Sequence, residues 1–424
     1  MPRKLVLIVL MALMLTAGLH LPTPTIAAQS ETKTPIMWGV NNNGAFFRPE
    51  ETAVLSKLPL KIVRWGGGFA ESSLPNTLIT KAFADVVHKQ NMEPLQQVGM
   101  FNMSPEDAAG LVRYVNVENK AGLKYWTIGN EPELFQPLQK KDIDLNAYLK
   151  KWRDMAQAML QVDPSIIIVG PDVSLQMAPL DKSSRAWQWF DAAIKANGDL
   201  INVVSFHFYL FGADMSVDTM IASPDAYAKS LTELRDYLRQ TLKRDVPLML
   251  TEVNLNSNPG VSGDKGSDSL FAGLWLAEIF GISAQQGLAA VLPWTAVRNQ
   301  SLSLIDSFNV PVPNYYAIQA FAGYGLPIAE TLSSVDGVKA YASTTDNGIL
   351  MVLVNRNDKD VMVRLGTDVS LGADHPLQAG SLTLGAHSMT RLEFDAKGVF
   401  VAGTTYGQKE NSSHAAPSAV TPGA

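Results

Sequence analysis

The chain has 424 residues, 46% of them hydrophobic and 17% charged, with a formal net charge of -6 and no cysteine. That hydrophobic fraction is ordinary for a globular core and excludes wholesale disorder. The absence of cysteine excludes disulfide staples, thiolate zinc sites, iron–sulfur clusters and a cysteine nucleophile, and the acidic balance argues against nucleic acid as a partner.

Residues 1–28 open with Arg3 and Lys4 ahead of an apolar run at 5–15, then small residues and a Pro-rich stretch ending in Ala27-Ala28. This is the pattern of a secretory signal peptide. The apolar run is shorter than the roughly 20 residues a bilayer-spanning helix needs. The expectation is an exported bacterial protein, secreted or periplasmic, with no stable membrane anchor once the signal is removed.

From residue 36, apolar runs of strand length alternate with longer helix-period segments. Runs at 36–40, 62–65, 95–98 and 125–128 precede helical segments near 49–57, 74–91, 105–120 and 145–162. Runs at 166–169, 203–209, 248–251 and 289–293 precede segments near 184–196, 223–242, 267–286 and 315–324. Eight such units in about 290 residues predict an α/β fold, a (β/α)8 TIM barrel over 36–326. A doubly wound open sheet is the alternative, weakened because no Gly-rich dinucleotide fingerprint follows the first strand.

After Leu326-Pro327 the rhythm changes to short strands at 338–344, 349–354, 361–365, 381–384 and 389–394, broken by turn signals such as Asp346-Asn347-Gly348. This predicts a small C-terminal antiparallel β-sandwich domain over 328–401. Residues 402–424 are small and polar with little to bury, and are expected to be a disordered tail.

In a barrel of this kind the working residues stand at the C-terminal ends of strands. The fourth strand ends in Gly129-Asn130-Glu131-Pro132 and the seventh in Glu252; these two strands place a carboxylate at or just past their termini. Asp172 lies further out, beyond Gly170-Pro171, and is a weaker candidate. Two carboxylates facing one cleft are what glycoside hydrolysis needs, one to protonate the leaving oxygen and one to attack the anomeric carbon or activate water. A buried carboxylate with neither partner nor task would be costly. Rival chemistries fare worse. The six histidines contain no H-x-x-x-H pair and only His207 falls on a barrel strand, so neither a metal nor another cofactor is expected. No G-x-S-x-G elbow and no phosphate-binding loop occurs.

The stretch Trp126-Thr127-Ile128-Gly129-Asn130-Glu131-Pro132 resembles the acid/base motif of retaining glycoside hydrolases of clan A, and Leu250-Thr251-Glu252 resembles that clan's nucleophile strand. Val169-Gly170-Pro171-Asp172, Ser205-Phe206-His207-Phe208-Tyr209, the 267–273 stretch and Pro313-Asn314-Tyr315-Tyr316 are similar to segments of the heparanase and β-glucuronidase family, family 79. They also fit neighbouring families such as family 39. The chain departs from the heparanase pattern at Thr251-Glu252-Val253-Asn254, where that group tends to carry Gly-Glu-Thr, and in the 256–263 stretch, where a Gly-rich segment helps receive a uronic-acid carboxylate.

The resemblance implies that Glu131 is the acid/base and Glu252 the nucleophile, with Arg64 as the cation beside it and Asn130 on the sugar 2-hydroxyl. His207 and Tyr209 are candidates for orienting Glu252, or for packing alone. Trp294 offers a flat apolar floor for a sugar ring, or a core contact. Trp65 and the glycines after it shape the cleft or form a plain turn. The function so implied is a secreted retaining glycosidase with a carbohydrate substrate; the alternative is a catalytically silent carbohydrate-binding protein of the cell envelope on the same barrel.

Overall fold

The computed structural model describes residues 36–72, 76–135, 143–211, 215–329, 331–345, 348–371, 377–378 and 380–423. Residues 1–28, expected to be a signal peptide, lie outside these residues. Among them, no helix is long and apolar enough to cross a membrane.

Eight parallel strands close into a barrel. They are β1 (Met37–Asn42), β2 (Ile62–Trp65), β3 (Glu93–Val98), β4 (Tyr125–Ile128), β5 (Ile167–Ser174), β6 (Val203–Phe211), β7 (Leu248–Asn256) and β8 (Ala290–Pro293). The intervening helices are α1 (Pro49–Leu55), α2 (Thr77–Lys89), α3 (Pro105–Val112), α4 (Leu145–Val162), α5 (Arg185–Asn197), α6 (Val217–Leu242), α7 (Leu270–Gln285) and α8 (Pro313–Ala320). All eight expected units are present. Six helices start on a short polar side chain, Asn76, Ser104, Asp144, Ser184, Ser216 or Ser269, that accepts a backbone N–H of the first turn. Such caps satisfy donors the helix cannot pair internally, so each one stops the preceding loop and sets the helix start.

The barrel interior is layered. Ile62, Leu95, Val169, Val203, Met249, Ala290 and Leu292 form an apolar plug. Further along the same strands, towards their C-terminal ends, the buried residues turn polar: Asn41, Arg64, Gln97, Asp172, Ser205, His207, Thr251 and Glu252. A polar layer on an apolar floor is stable only if its members pair with one another, which they do.

Strands β5 and β7 run further than their apolar runs suggest, because each contains an extra residue. Pro171 faces Ser205 but Val173 faces Phe206, leaving Asp172 unpaired; Phe206 faces Leu250 but His207 faces Glu252, leaving Thr251 unpaired. A bulge of this kind re-aims the side chains around it. Here the two bulges flank β6 and turn Asp172, Thr251 and Glu252 toward the same interior space.

Beyond the barrel, β11 (Val338–Thr345), β12 (Gly348–Asn355) and β16 (Ser388–Phe394) form the centre of a six-stranded sheet completed by β9 (Ile328–Ala329), β17 (Phe400–Tyr406) and β18 (Ser418–Ala419). Two two-stranded sheets pair β10 (Thr331–Ser333) with β14 (Val369–Leu371) and β13 (Val361–Arg364) with β15 (Ser381–Leu384). The expectation of a disordered 402–424 tail is corrected. Strand β17 pairs with β16 from Phe400 to Tyr406, a short helix α9 (Gln408–Ser412) follows, and β18 returns along β17. Buried Glu410 accepts from the Gly407 N–H and the Ser418 hydroxyl, and the Tyr406 ring stacks on Tyr316 of α8 at 4.4 Å. The segment reads as coil because β17 is largely exposed: main-chain pairing and the aromatics at its two ends, Phe400 and Tyr406, hold it, and neither produces a long apolar run.

The sheet domain is bound to the barrel through α7, which is buried on nearly every side. Arg356 reaches Glu278 of α7 at 2.7 Å and Asp225 of α6 at 2.9 Å, and the Tyr341 ring lies directly over Gly281 of α7.

Candidate active site

Arg64 stands at the centre of the polar layer, fully buried. Its Nη1 donates to Glu252 Oε1 at 2.7 Å and Asn41 Oδ1 at 2.9 Å; its Nη2 donates to Asn130 Oδ1 at 2.8 Å and Asp172 Oδ2 at 3.0 Å. Burial would drive the proton off, but Asp172 and Glu252 outweigh it and raise the guanidinium above its usual value. The fork therefore ties β1, β2, β4, β5 and β7 together.

Glu252 is held on both oxygens, since the Tyr209 hydroxyl donates to Oε2 at 2.7 Å. Tyr209, a candidate for orienting Glu252 or for packing alone, is thus in hydrogen-bond contact with it. Burial raises Glu252 above the usual carboxylate range and the Glu131 charge adds to this, while His207, Arg64 and Tyr209 pull it back down. Asn41 supports the strand from beneath, donating to the Thr251 carbonyl at 2.8 Å.

Glu131 follows Gly129 and Asn130 off the end of β4 with φ 46°, a left-handed conformation unfavourable for a residue with a Cβ. Its N–H donates to the Asp172 carbonyl at 2.9 Å, which holds the turn, and Pro132 begins the next 3-10 turn. Its side chain is 21% exposed, against 5% for Glu252, so Glu131 meets solvent while Glu252 is enclosed.

His207 is fully buried, with Nδ1 at 3.0 Å from Glu131 Oε1 and 3.6 Å from Glu252 Oε2. It is a candidate for orienting Glu252 or for packing alone; the structure sets it closer to Glu131. Its Nε2 is 3.8 Å from Asp172 Oδ1, a charge contact rather than a hydrogen bond. Burial would neutralise the ring, but Glu252, Asp172 and Glu131 together push it up to about 10. These three carboxylates favour the imidazolium form of the ring. One ligand atom each of Glu131, His207 and Glu252 lies within 4.8 Å of the others. A metal at that point would need a neutral imidazole nitrogen.

Asn130 commits its Oδ1 to Arg64, which leaves Nδ2 as its donor on the cleft side. Trp294 lines the cleft at the end of β8. Gly67, at φ 115°, lies under its ring so closely that a Cβ there would come within 2.5 Å of Trp294, which is the reason for a glycine after β2. Trp65 points the other way and packs on Phe83 of α2, 5.6 Å between rings. The cleft itself has a volume of about 1010 Å³, with Asn130, Glu131, Tyr209, Glu252 and Trp294 on its floor and residues 174–186 forming one wall.

Two residues were not singled out from the sequence as site members. Asp172, ranked low for lying beyond Gly170-Pro171, is fully buried and accepts from Ser205 Oγ at 2.5 Å and Thr251 Oγ1 at 2.6 Å, besides Arg64. Despite burial, Arg64 and His207 hold it well below the usual carboxylate range. Glu133, two residues after Glu131, is buried; its Oε1 accepts from the Ser174 N–H at 2.7 Å and its Oε2 has no partner among the described residues. Burial, reinforced by Glu131, pushes it up to about 8. The Pro132-Glu133 step was the available signal, an acidic residue beside a strained turn.

The chain thus folds as a parallel eight-stranded barrel with C-terminal antiparallel sheets and sets two carboxylates, Glu131 and Glu252, in one cleft. No protein-family model matches the chain. Among curated proteins, Rattus norvegicus heparanase is 23% identical over 195 residues, covering 45% of this chain and 35% of that one. Paenibacillus lautus endoglucanase A is 22% identical over 326 residues, covering 64% of this chain and 45% of that one. The matched stretches thus span less than half of either curated relative. A family 51 α-L-arabinofuranosidase from Bifidobacterium longum superposes with a TM-score of 0.63 at 14% identity, covering 92% of both chains. A family 39 β-xylosidase from Caulobacter crescentus gives 0.57 at 15% identity, covering 78% of this chain and 80% of that one. The likeness to heparanase is thus partial and distant, and the fold is shared with families 51 and 39.

Proposed function

We propose that the protein is a retaining glycoside hydrolase, exported by its N-terminal signal, with Glu252 as nucleophile and Glu131 as acid/base. The observation that carries this reading is the close pairing of the two carboxylates, one oxygen of each within 4.8 Å, with Glu252 clamped by Arg64 and Tyr209. Measured between carboxyl groups, a retaining pair stands about 5–5.5 Å apart and an inverting pair about 6.5–9.5 Å to admit a water; the closest-oxygen approach of Glu131 and Glu252 supports the shorter class.

In the first step a Glu252 oxygen attacks the anomeric carbon, the glycosidic C–O bond breaks, and the Glu131 proton passes to the leaving oxygen. In the second, Glu131 takes a proton from water, whose oxygen displaces Glu252 from the sugar, and both carboxylates return to their starting states. Arg64 and Tyr209 keep Glu252 aimed and ionised, Asn130 Nδ2 meets the 2-hydroxyl, and Trp294 underlies the ring. An intact pair with its cation favours this over a silent carbohydrate-binding protein.

The similar structures act on arabinofuranosides and xylosides and a relative is an endoglucanase, so activated aryl arabinofuranosides, xylosides, glucosides and glucuronides form the test panel. On the substrate that is turned over, Glu252→Gln should abolish activity whatever the leaving group, because no glycosyl-enzyme can form. Glu131→Ala should keep activity on activated substrates and regain turnover with azide. Substantial activity of Glu252→Gln, or no azide rescue of Glu131→Ala across several leaving groups, contradicts the assignment.

A further inference from the structure

Asp172 is more deeply embedded than either proposed catalytic carboxylate. It accepts hydrogen bonds from Ser205, Thr251 and Arg64, its carbonyl takes the Glu131 N–H, and its own N–H lies 3.2 Å from Ser205 Oγ. It sits on the β5 bulge with φ 53°, a left-handed conformation that costs a non-glycine residue free energy and persists only where surrounding contacts enforce it. Nothing in the proposed bond-making steps uses it.

Its neighbours give it a task. The charged groups around the reacting space are Arg64 from β2, His207 from β6, Glu252 from β7 and Glu131 from the end of β4, with the Tyr209 and Tyr148 hydroxyls and Glu133 alongside. Two of these are cations pressed against two reacting carboxylates. With no further anion, the cations would favour ionisation of both carboxylates, and the site would hold no proton to give the leaving oxygen. One fixed anion restores the balance. Two cations then face Asp172 and one reacting carboxylate, and the other carries the proton. The same balance holds after the first step, when Glu252 is esterified and Glu131 ionised.

Resting on the glycosidase reading above, we propose that Asp172 is a positioning residue for the catalytic pair: its buried carboxylate, between Arg64 and His207, anchors both cations and keeps one transferable proton in the site throughout the cycle. It does not touch the sugar and acts through Arg64, His207 and the Glu131 backbone.

The test is Asp172→Asn, which keeps the size and an acceptor for Arg64 but removes the charge. The basic limb of its kcat/KM profile should move down by about one to two pH units. The loss at neutral pH should be large for poor leaving groups and small for activated aryl glycosides, which need little acid help. Ser205→Ala, which removes one hydrogen bond to Asp172 but leaves its charge, should keep the basic limb where it is. An unmoved limb in Asp172→Asn, or equal loss on both substrate classes, overturns the proposal.

A second readout does not depend on activity. In ¹⁵N NMR of the full chain, His207 should carry protons on both ring nitrogens at pH 8 in the native protein and lose one at lower pH in Asp172→Asn. A neutral His207 in the native protein at pH 7 overturns the proposal, even if Asp172→Asn proves unable to fold. If no glycoside is cleaved, the functional reading fails while the His207 measurement still decides whether Asp172 anchors that charge.

Discussion

Tyr209 shows how one hydroxyl acts on the chemistry. Its 2.7 Å bond to Glu252 Oε2 leaves that oxygen ionised and fixes its direction. A hydrogen bond to a charged group is worth about 1.5–3 kcal/mol, so Tyr209→Phe should lower kcat/KM roughly 10- to 100-fold with the fold intact. Steady-state kinetics beside a thermal melt checks both halves. The raised position of Glu252 should also place the acid limb of the native profile above the ordinary carboxylate value of 4.5. Glu133 gives a different, stability-based expectation. Folded, it holds its proton up to about 8, whereas the unfolded chain releases it near 4.5. The native state thus binds the extra proton across that window, and stability falls as pH rises through it. His207, raised from 6.5 to about 10, works in the same sense, while Asp172, depressed, costs stability only as the solution turns acidic. Glu133→Gln cannot ionise. It should be no more stable than the native protein at pH 5 but more stable at pH 9, by an amount on the order of a few kcal/mol, measured as denaturant midpoints at the two pH values.

At the scale of elements, the eight strand–helix units were legible because each buried strand carries a short, largely apolar stretch bounded by turn residues and each helix has a longer period. Glu131 and Glu252 were legible because each ends such a run. What escaped was the bulge. An extra residue at Asp172 or Thr251 leaves no mark on an apolar pattern, so β5 and β7 read as ending at Val169 and Thr251, short of where the backbone carries them. This is why Asp172 looked peripheral and proved central. Tail strand β17 escaped for another reason, since its threonines and glycine pair through the main chain. Helix α7 carries a testable contact: a Cβ on Gly281 would collide with the Tyr341 ring. Gly281→Ala favours the isolated helix by about 1 kcal/mol but overpacks the junction at a cost of about 1–3 kcal/mol. A net loss of stability by chemical denaturation is expected, with catalytic constants per folded molecule unchanged. A gain in stability would mean that the sheet domain rests more loosely on α7 than the structure indicates.

For the whole molecule, the barrel and the sheet domain divide the work. The sheet domain braces the outer helices through Arg356, Tyr341 and Arg391, the last donating to the carbonyl of Ala320, the final residue of α8, at 2.9 Å. The barrel gathers side chains from six of its eight strands, or the turns just after them, around Arg64 and Glu252. The proposed retaining reading has one stereochemical consequence. Two displacements at the same carbon, the first by Glu252 and the second by water, leave the anomeric configuration as it began, whereas a single displacement by water inverts it. The deciding measurement is ¹H NMR of the sugar first released from whichever aryl glycoside is cleaved, recorded before mutarotation. A product with the substrate's own anomeric configuration is the result predicted; a product of opposite configuration contradicts Glu252 as nucleophile.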